Sequence, residues 1–453
     1  MDKSLAQRVS FFALIAVLLV AFALGGGGSR QGMANLVVQL TALAALVPHR
    51  AALQQFWREA PGGLRLLVIL SLLLPLLQLV PLPPAVWTAL PGRELVARSL
   101  EMTGETGWMP YSANPLRTAL AASALVTPLA VLIIGWSLPR DRLFTIGWIA
   151  AALGLVTMLL GMVQLGATND SGTLFGARNP GAFLLGTFAN RNSTALLLGF
   201  ALGLAALLPA PRPHPAVTLV RVVVCAILLL TIILTKSRTG IALAALPLGL
   251  AGIKALWWAL SERRTAAAGS NPGGRQRPLA LVMAALAVLA FGGTALIVAA
   301  PGRIGEAFER FEAKDDPRRY IWDDASYTAS RYWPAGAGIG TFDEVFQVDE
   351  SLENLTKRTA GRAHNDYLEL AIEAGLPGLA LAGLWIVLVG WLSWRARHSS
   401  QRWAAWAGSA FLMAIALQSI TDYPLRNQTI LAFAGFALLL LARIAADHRR
   451  ARA

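Results

Sequence analysis

The sequence alternates long apolar runs with short polar segments, a pattern typical of helices that cross a lipid bilayer. Most runs approach the length of about 20 residues that a bilayer core requires, although several are shorter. We therefore predict an all-α polytopic membrane protein with about twelve transmembrane helices. The predicted spans cover residues 11–24, 36–47, 64–80, 118–138, 144–165, 193–208, 217–234, 241–260, 279–300, 372–394, 403–420 and 430–444.

The longest polar interval, residues 301–366, divides the chain. We expect residues 1–300 to form the first nine helices with short loops, residues 301–366 a loop region with short helices, and residues 367–453 the last three helices. Residues 261–278 are rich in Gly, Ser and Arg, which predicts a flexible loop. Lys3 and Arg8 before the first run also suit a signal peptide, but the many spans that follow favour a retained first helix.

Composition supports the same class. The chain has 453 residues, of which 56% are hydrophobic and 14% charged, and its mean hydropathy is +0.56. These values exclude an ordinary soluble protein. The net charge of +14 does not indicate a nucleic-acid partner, because the basic residues are scattered among short loops. The single cysteine, Cys225, lies in an apolar run and is expected to be a packing residue.

Loop charges predict the orientation of the spans. Assigning loops alternately to the two sides places most Lys and Arg residues on one face, which the positive-inside rule makes cytoplasmic. Both termini are then cytoplasmic, and residues 301–366 face the opposite side. The basic residues on the cytoplasmic face are Lys3, Arg8, Arg50, Arg58, Arg65, Arg140, Arg142, Arg212, Arg221, Arg263, Arg264, Arg275, Arg277, Arg395, Arg397, Arg402, Arg449, Arg450 and Arg452.

The end of the long polar interval, residues 362–375, carries the strongest candidate for chemistry. Asp366 followed by Glu369 has the spacing of a capping box, which predicts a helix that starts with Asp366 as its N-cap. His364 then lies just outside a helix N-terminus, where the helix dipole favours a neutral imidazole that can accept a proton. A histidine that only bonds a loop is the alternative.

Isolated cations lie at helix ends on the face opposite the cytoplasm. Arg191 stands between two asparagines, Lys236 and Arg238 follow the seventh span, and Arg318 and Arg319 begin an amphipathic segment. Each has a simpler explanation in contacts with lipid phosphate, the helix dipole or solvent. Asp422 lies on the same face and could also simply cap a helix. Together, these cations, His364 and the Asp422 carboxylate suit the transfer of a group from a lipid pyrophosphate.

These residues also resemble a known family. The motifs are Gly186-Thr187-Phe188-Ala189-Asn190-Arg191-Asn192, Ser237-Arg238, Arg319 with Trp322, Gly338-Ile339-Gly340 before Phe342, Ala363-His364-Asn365-Asp366-Tyr367 with Glu373 and Gly375, and Asp422-Tyr423-Pro424-Leu425. In this order they resemble the bacterial O-antigen ligase and polysaccharide polymerase superfamily. The resemblance covers roughly residues 160–440, and its most specific part is the His-Asn-Asp-Tyr segment.

The resemblance implies a glycosyltransferase of the bacterial inner membrane with its active site facing the periplasm. Such a protein moves a glycan from undecaprenyl pyrophosphate to lipid A-core or to a second lipid-linked glycan, without a metal ion or other cofactor. It implies that His364 is the base and that Arg191, Arg238, Arg319 and Lys236 hold the pyrophosphate, with the alignment of Arg318 and Arg319 open by one residue. The implied supporting residues are Asn190, Asn365, Asp366, Tyr367 and Asp422.

Several alternatives remain open at this point. A single displacement implies inversion at the sugar, and no pair of Asp residues suits a divalent cation, so we expect metal-independent chemistry. Family members include ligases, polymerases and protein glycosyltransferases; the Asp-Tyr-Pro-Leu-Arg run leans faintly toward the polymerases. The rival class is a transporter or flippase of lipid-linked oligosaccharide, which should show two similar halves. We find no such repeat.

Overall fold

The computed structural model describes residues 3–28, 31–105, 107–167, 174–175, 183–211, 214–267, 318–354 and 360–450. These residues are mostly helical and include almost no strand, which confirms the predicted all-α polytopic class. The ninth predicted span, 279–300, and most of the loop at 261–278 lie outside the described residues. The helices are α1 Lys3–Leu24, α2 Gly32–Leu46, α3 Arg50–Glu59, α4 Gly62–Leu77, α5 Pro84–Trp87, α6 Glu94–Thr103, α7 Pro115–Ala124, α8 Val126–Trp136, α9 Arg140–Gly166, α10 Arg191–Leu207, α11 Pro215–Leu234, α12 Arg238–Leu243, α13 Ala245–Ala267, α14 Arg318–Tyr332, α15 Phe342–Asp349, α16 Asp366–Ala396, α17 Arg402–Gln418 and α18 Gln428–Arg450.

Short elements complete the described structure. Two-residue strands β1 (Pro81–Leu82) and β2 (Met109–Pro110) pair antiparallel. Single 3₁₀ turns occur at Gly25–Gly27, Leu352–Asn354 and Pro424–Arg426. None of these elements is long enough to form a second structural layer.

Seven helical segments of the described chain are long and apolar enough to cross a membrane, or eight if the bent pair α2 and α3 forms one span. Two further apolar helices, α4 and α10, are shorter. The predicted total of about twelve therefore stays a prediction. Two of the seven segments are each broken into two helices, one into α7 and α8 and the other into α12 and α13. Pro128 and Pro247 explain the breaks, because each ring would clash with the carbonyl four residues earlier.

Two helices lie where the sequence predicted loops. α3 bends by 83° from α2 and buries Ala52 and Phe56 while most of its polar residues face outward. α6 lies in the moderately polar interval after Pro84, and it ends at Gly104 in a left-handed conformation. A search for apolar runs overlooks such helices, because only one narrow face of each is apolar.

Two central helices position the polar end of the bundle. Nearly every side chain of α10 is buried, and α18 is buried along most of its length. Phe200 of α10 stacks on Phe411 of α17, with ring centres 4.2 Å apart. Because α10 and α18 run through the interior, the residues at their N-terminal ends meet other elements of the bundle and do not project into solvent alone.

A break in α16 attaches the region around α14 to the bundle. Gly375 has a φ of +54°, so α16 consists of two helical halves. The carbonyls of Ile372 and Glu373, which lose helical partners at the break, accept bonds of 2.8 Å from the amides of Ala337 and Gly338. The Gly-rich turn at residues 336–340 therefore satisfies the interrupted helix.

We predict that Gly375→Ala destabilises the protein. The left-handed backbone alone costs about 1–3 kcal/mol for a non-glycine residue, and the added Cβ would lie 2.0 Å from the carbonyl oxygen of Pro334. The unfolding midpoint in detergent should fall by several degrees. Gly383→Ala, in the same helix, is the matched control, since nothing lies within 4 Å of its added Cβ. Equal midpoints for the two variants would contradict the docking of the turn.

Candidate functional site

The side chain of Asp422 joins three distant parts of the chain. Asp422 follows α17, and its Oδ1 atom lies 3.3 Å from Nδ1 of His364, which precedes α16. Its Oδ2 atom accepts bonds from the side-chain amides of Asn190 at 2.9 Å and Asn192 at 2.7 Å, at the start of α10. His364 and Asp422, which the sequence analysis predicted as the base and the carboxylate of the site, are therefore in direct contact.

The ionised carboxylate of Asp422 determines which ring nitrogen of His364 donates a hydrogen bond. Asp422 is only 1% exposed. Burial alone would raise its pKa, but hydrogen bonds from His364 and Asn192 outweigh burial and hold the pKa below its ordinary value of 3.8. The carboxylate is then ionised at neutral pH and can only accept hydrogen bonds. Nδ1 of His364 must donate, so in the neutral ring Nε2 keeps a free lone pair.

Contacts on both sides fix the backbone of His364. The residue has a φ of +53°, an uncommon conformation for a non-glycine residue. The preceding amide, of Ala363, donates to Oε1 of Glu369 at 3.0 Å, and the Ala363 carbonyl accepts from Nε1 of Trp322 at 2.8 Å. The imidazole lies against the ring of Tyr423, and the His364 side chain is 33% exposed. The ring is thus held in place but remains accessible.

The helix start differs from the predicted capping box. The N-cap is Asn365, one residue earlier than predicted, and its side chain accepts bonds of 3.1 Å from the amides of Tyr367 and Leu368. Asp366 is instead the first helical residue. Glu369 does not bond back to the cap, because its side chain is occupied in a buried cluster. The spacing along the chain allowed either Asn365 or Asp366 to be the N-cap, and only contacts with distant residues distinguish the two.

That buried cluster contains three carboxylates and two guanidinium groups. Nη2 of Arg426 lies 2.6 Å from Glu373 and 3.2 Å from Glu369, and Nε lies 3.7 Å from Asp366. Nη1 of Arg362 lies 3.1 Å from Glu369. Because each carboxylate belongs to the first half of α16, the cluster holds that half and the His364 loop against the segment before α18.

Arg191 lies beside this arrangement as the first residue of α10. Both of its neighbours, Asn190 and Asn192, bind Asp422. Its guanidinium lies over the ring of Phe183 at 4.4 Å from the ring centre. Asn190 also caps α10 by accepting from the amide of Asn192 at 2.9 Å. The helix start therefore places Arg191 in the chain between two partners of Asp422.

The segment from Lys236 to Arg238 reaches the same end of the bundle. Ser237 donates to Oδ1 of Asn192 at 2.7 Å and caps α12, whose first residue is Arg238. Lys236 is buried and has a φ of +54°. The structure thus connects both cations to the Asp422 network through Ser237, the residue between them.

The structure distinguishes the two adjacent arginines at the start of α14. The charge of Arg318 contributes to the lowered pKa of Asp422, whereas Arg319 is exposed to solvent. Successive helical residues point in directions about 100° apart, so only one of the pair can face a given site. Of the two arginines that the sequence alignment left open by one residue, Arg318 is thus the one whose charge acts on Asp422.

Other predicted residues have structural positions that the sequence did not reveal. The hydroxyl of Tyr367 donates to the carbonyl of Ala416 at 2.9 Å and so joins α16 to α17. Residues that the sequence analysis did not assign to the site hold its parts together through contacts between remote segments. They are Asn192, Ser237, Trp322, Glu369 and Arg426. Asn192, Ser237 and Trp322 lay within the family motifs, Glu369 in the predicted capping box and Arg426 in the Asp-Tyr-Pro-Leu-Arg run, but none of them had been given a role in the site.

The fold and the site define an all-α polytopic membrane protein whose His–Asp pair and cations gather at one end of the helix bundle. Residues 223–383 match the family model described as O-antigen ligase. The match supports assigning the chain to the O-antigen ligase/polymerase family, as its motifs predicted, and this family implies a glycosyltransferase-type enzyme acting on lipid-linked glycans. The matched residues include Arg238 and His364 and end before Asp422. A comparison with curated proteins gave no match.

We predict that Arg426→Gln strongly destabilises the protein. The substitution would leave three buried carboxylates without their shared cation, and breaking a buried ion pair costs about 3–5 kcal/mol. Arg117→Gln is the control: Arg117 bonds Glu344 at 2.7 Å, but its side chain is 44% exposed. That change should cost at most about 1 kcal/mol. Thermal unfolding in detergent checks both, and similar losses in the two variants would contradict the assigned role of the cluster.

We also predict a defined pH dependence for Asp422. Because its pKa is lower in the folded protein, the ionised carboxylate adds stability above the unfolded pKa, and this stability is lost as the pH falls through the folded pKa. The unfolding midpoint of the wild type should exceed that of Asp422→Asn down to about pH 5, and the difference should shrink below about pH 4. A difference that grows steadily in that acidic range would show that the carboxylate is not stabilised by the fold.

Proposed function

We propose that this protein transfers a glycan en bloc from undecaprenyl pyrophosphate to an acceptor hydroxyl at the periplasmic face of the bacterial inner membrane. The observation that carries the proposal is the contact between His364 and Asp422 beside the N-termini of α10 and α12. Displacement from a pyrophosphate requires a group that accepts the proton of the attacking hydroxyl and cations that stabilise the leaving group. We propose that His364 is the first and that the arginines at these helix ends are the second.

The proposed reaction is a single displacement. Nε2 of His364 accepts the proton of the acceptor hydroxyl while the oxygen attacks the anomeric carbon of the donor sugar. The bond between that carbon and the pyrophosphate oxygen breaks, so the configuration inverts and undecaprenyl pyrophosphate leaves. Asp422 holds the imidazole through Nδ1 and stabilises its positive charge once the proton has moved.

The cations receive the negative charge that develops on the leaving group. Arg191 and Arg238 would bind phosphate oxygens through paired N–H groups, and Lys236 would add a point charge. Arg318 completes the set in preference to Arg319, given its electrostatic effect on Asp422. Fixed cations can stabilise this charge without a divalent ion, so we propose a metal-independent reaction.

Aromatic contacts at the opposite end support the proposed orientation. There Arg395 lies over Trp391 at 4.7 Å, and Arg397 over Trp394 at 3.6 Å from the ring centre. Stacked Trp and Arg side chains are typical of a membrane interface, and the excess of basic loops supports assigning this one to the cytoplasmic side. The His364 end of α16 would then face the periplasm, with both chain termini in the cytoplasm.

The acceptor decides the particular reaction. Transfer to lipid A-core would make the protein a ligase, transfer to another lipid-linked glycan a polymerase, and transfer to a side chain a protein glycosyltransferase. All three use the same donor chemistry and the same base. The acceptor must therefore be identified by experiment with separate acceptors.

We predict that reconstituted protein releases pyrophosphate-linked lipid and forms product from an undecaprenyl-pyrophosphate glycan, either with lipid A-core or with excess donor alone. His364→Ala should slow transfer by about 10²–10⁴-fold through loss of the base. Arg191→Ala should slow it by about 10²-fold through loss of charge stabilisation. His398→Ala and Arg395→Ala are the matched controls, since Arg395 lies in the last turn of α16 and His398 follows its end, both remote from His364.

The outcomes separate the candidate functions. Product in one mixture that is lost in the His364 and Arg191 variants alone supports the enzyme and identifies its acceptor class. Near-normal transfer by folded His364→Ala would remove the proposed base. Absence of product in every mixture, with donor instead crossing the bilayer, would favour the transporter.

A further inference from the structure

Two basic residues lie within apolar spans, at the end of the bundle opposite the candidate site. Arg221 of α11 belongs to the segment Ala216–Leu234, and Lys254 of α13 belongs to the segment Arg238–Ser261. Both segments are long and apolar enough to cross a membrane. A basic residue inside a membrane span is costly, and it usually has a function and a partner. The partners of these two cations therefore indicate what this end of the bundle does.

The two cations meet at the C-terminal end of α10. Nη1 of Arg221 donates to the carbonyl of Ala206 at 3.4 Å. Nζ of Lys254 donates to the same carbonyl and to that of Leu207, at 3.1 Å in each case. The Arg221 guanidinium also lies over the ring of Trp148, 5.2 Å from the ring centre. Because they share one carbonyl oxygen, the two positive charges are close neighbours.

The described residues do not balance the charge of this pair. The C-terminus of a helix carries about half of one negative charge, against two full positive charges here. No carboxylate among the described residues forms an ion pair with either side chain. Nε and Nη2 of Arg221 are buried and have no hydrogen-bond partner in the same part of the chain. The pair therefore offers both positive charge and N–H groups to an anion.

The surface around the pair is apolar. Val220, beside Arg221 in the chain, is 60% exposed, and Ile253, beside Lys254, is 56% exposed. Such side chains on membrane spans contact lipid tails. Arg221 and Lys254 each keep part of their own surface exposed, so the surrounding lipid can reach them. A soluble anion would have to approach across this apolar surface, whereas a phospholipid brings its phosphate to the pair with its acyl chains against the same surface.

We propose that Arg221 and Lys254 form a binding site for the phosphate of an anionic membrane phospholipid, such as phosphatidylglycerol. The phosphate oxygens accept hydrogen bonds from Nζ of Lys254 and from the guanidinium of Arg221, and their charge balances the two cations. A zwitterionic head group fits less well, because its own ammonium group would approach the same two cations. The site is remote from the reacting groups, so it does not depend on the proposed function.

Lipid binding by the full chain in detergent tests the site. Given equal amounts of phosphatidylglycerol and phosphatidylcholine, wild type should retain phosphatidylglycerol, as measured by native mass spectrometry. Arg221→Gln and Lys254→Gln should each weaken this binding about fivefold, the effect of one basic residue at an anionic lipid surface. Arg221→Lys and Lys254→Arg keep both charges and should retain most of the binding. Arg58→Gln, which removes an exposed arginine on the same predicted face, is the control.

A second measurement needs no variant and separates a lipid from a soluble anion. Phosphatidylglycerol should raise the unfolding midpoint of wild type above its value in phosphatidylcholine, and inorganic phosphate at the same concentration should not. Equal stabilisation by inorganic phosphate would overturn the lipid as the ligand. No preference of wild type for phosphatidylglycerol, or an equal loss of binding in Arg58→Gln and the two glutamine variants of the pair, would overturn the site.

Discussion

A buried carboxylate must find partners, and the partners of Asp422 define the candidate site. An unpaired charge at a position only 1% exposed would be strongly unfavourable. The structure compensates it with two asparagine amides and an imidazole from remote segments. Because both carboxylate oxygens are occupied, the orientation of His364 follows from the same interaction that stabilises the fold. The lone pair on Nε2 of the neutral ring is a consequence of this arrangement.

A second constraint acts on the opposite side of His364. The break at Gly375 leaves helical carbonyls without partners, and the Gly-rich turn after α14 supplies them. Arg426 meanwhile draws together carboxylates of the first half of α16. His364 is thereby placed between two rigid attachments, one through Asp422 and one through Glu369. Precise placement of a base needs such support on both sides.

Local patterns in the sequence predicted the class of fold and the main candidates for chemistry. Apolar runs located most spans, and the unusual position of His364 beside a helix start singled it out. The patterns did not reveal α3, whose apolar face is narrow, nor the capping role of Asn365, which depends on buried partners of its neighbours. The effect of Arg318 on the pKa of Asp422 likewise depends on the three-dimensional positions of both residues. What sequence reasoning missed was long-range pairing, which spacing along the chain does not encode.

We propose that the His364–Asp422 pair and the neighbouring arginines form one pyrophosphate site. A cryo-electron microscopy structure of the protein in nanodiscs with a non-transferable phosphonate analogue of the lipid-linked donor tests it most directly. We expect the two phosphate groups of the analogue within hydrogen-bonding distance of the Arg191 and Arg238 guanidinium groups, with Nε2 of His364 facing the anomeric carbon. An analogue bound at the Arg395 end of the bundle, or bound with His364 turned away from the sugar, would contradict it.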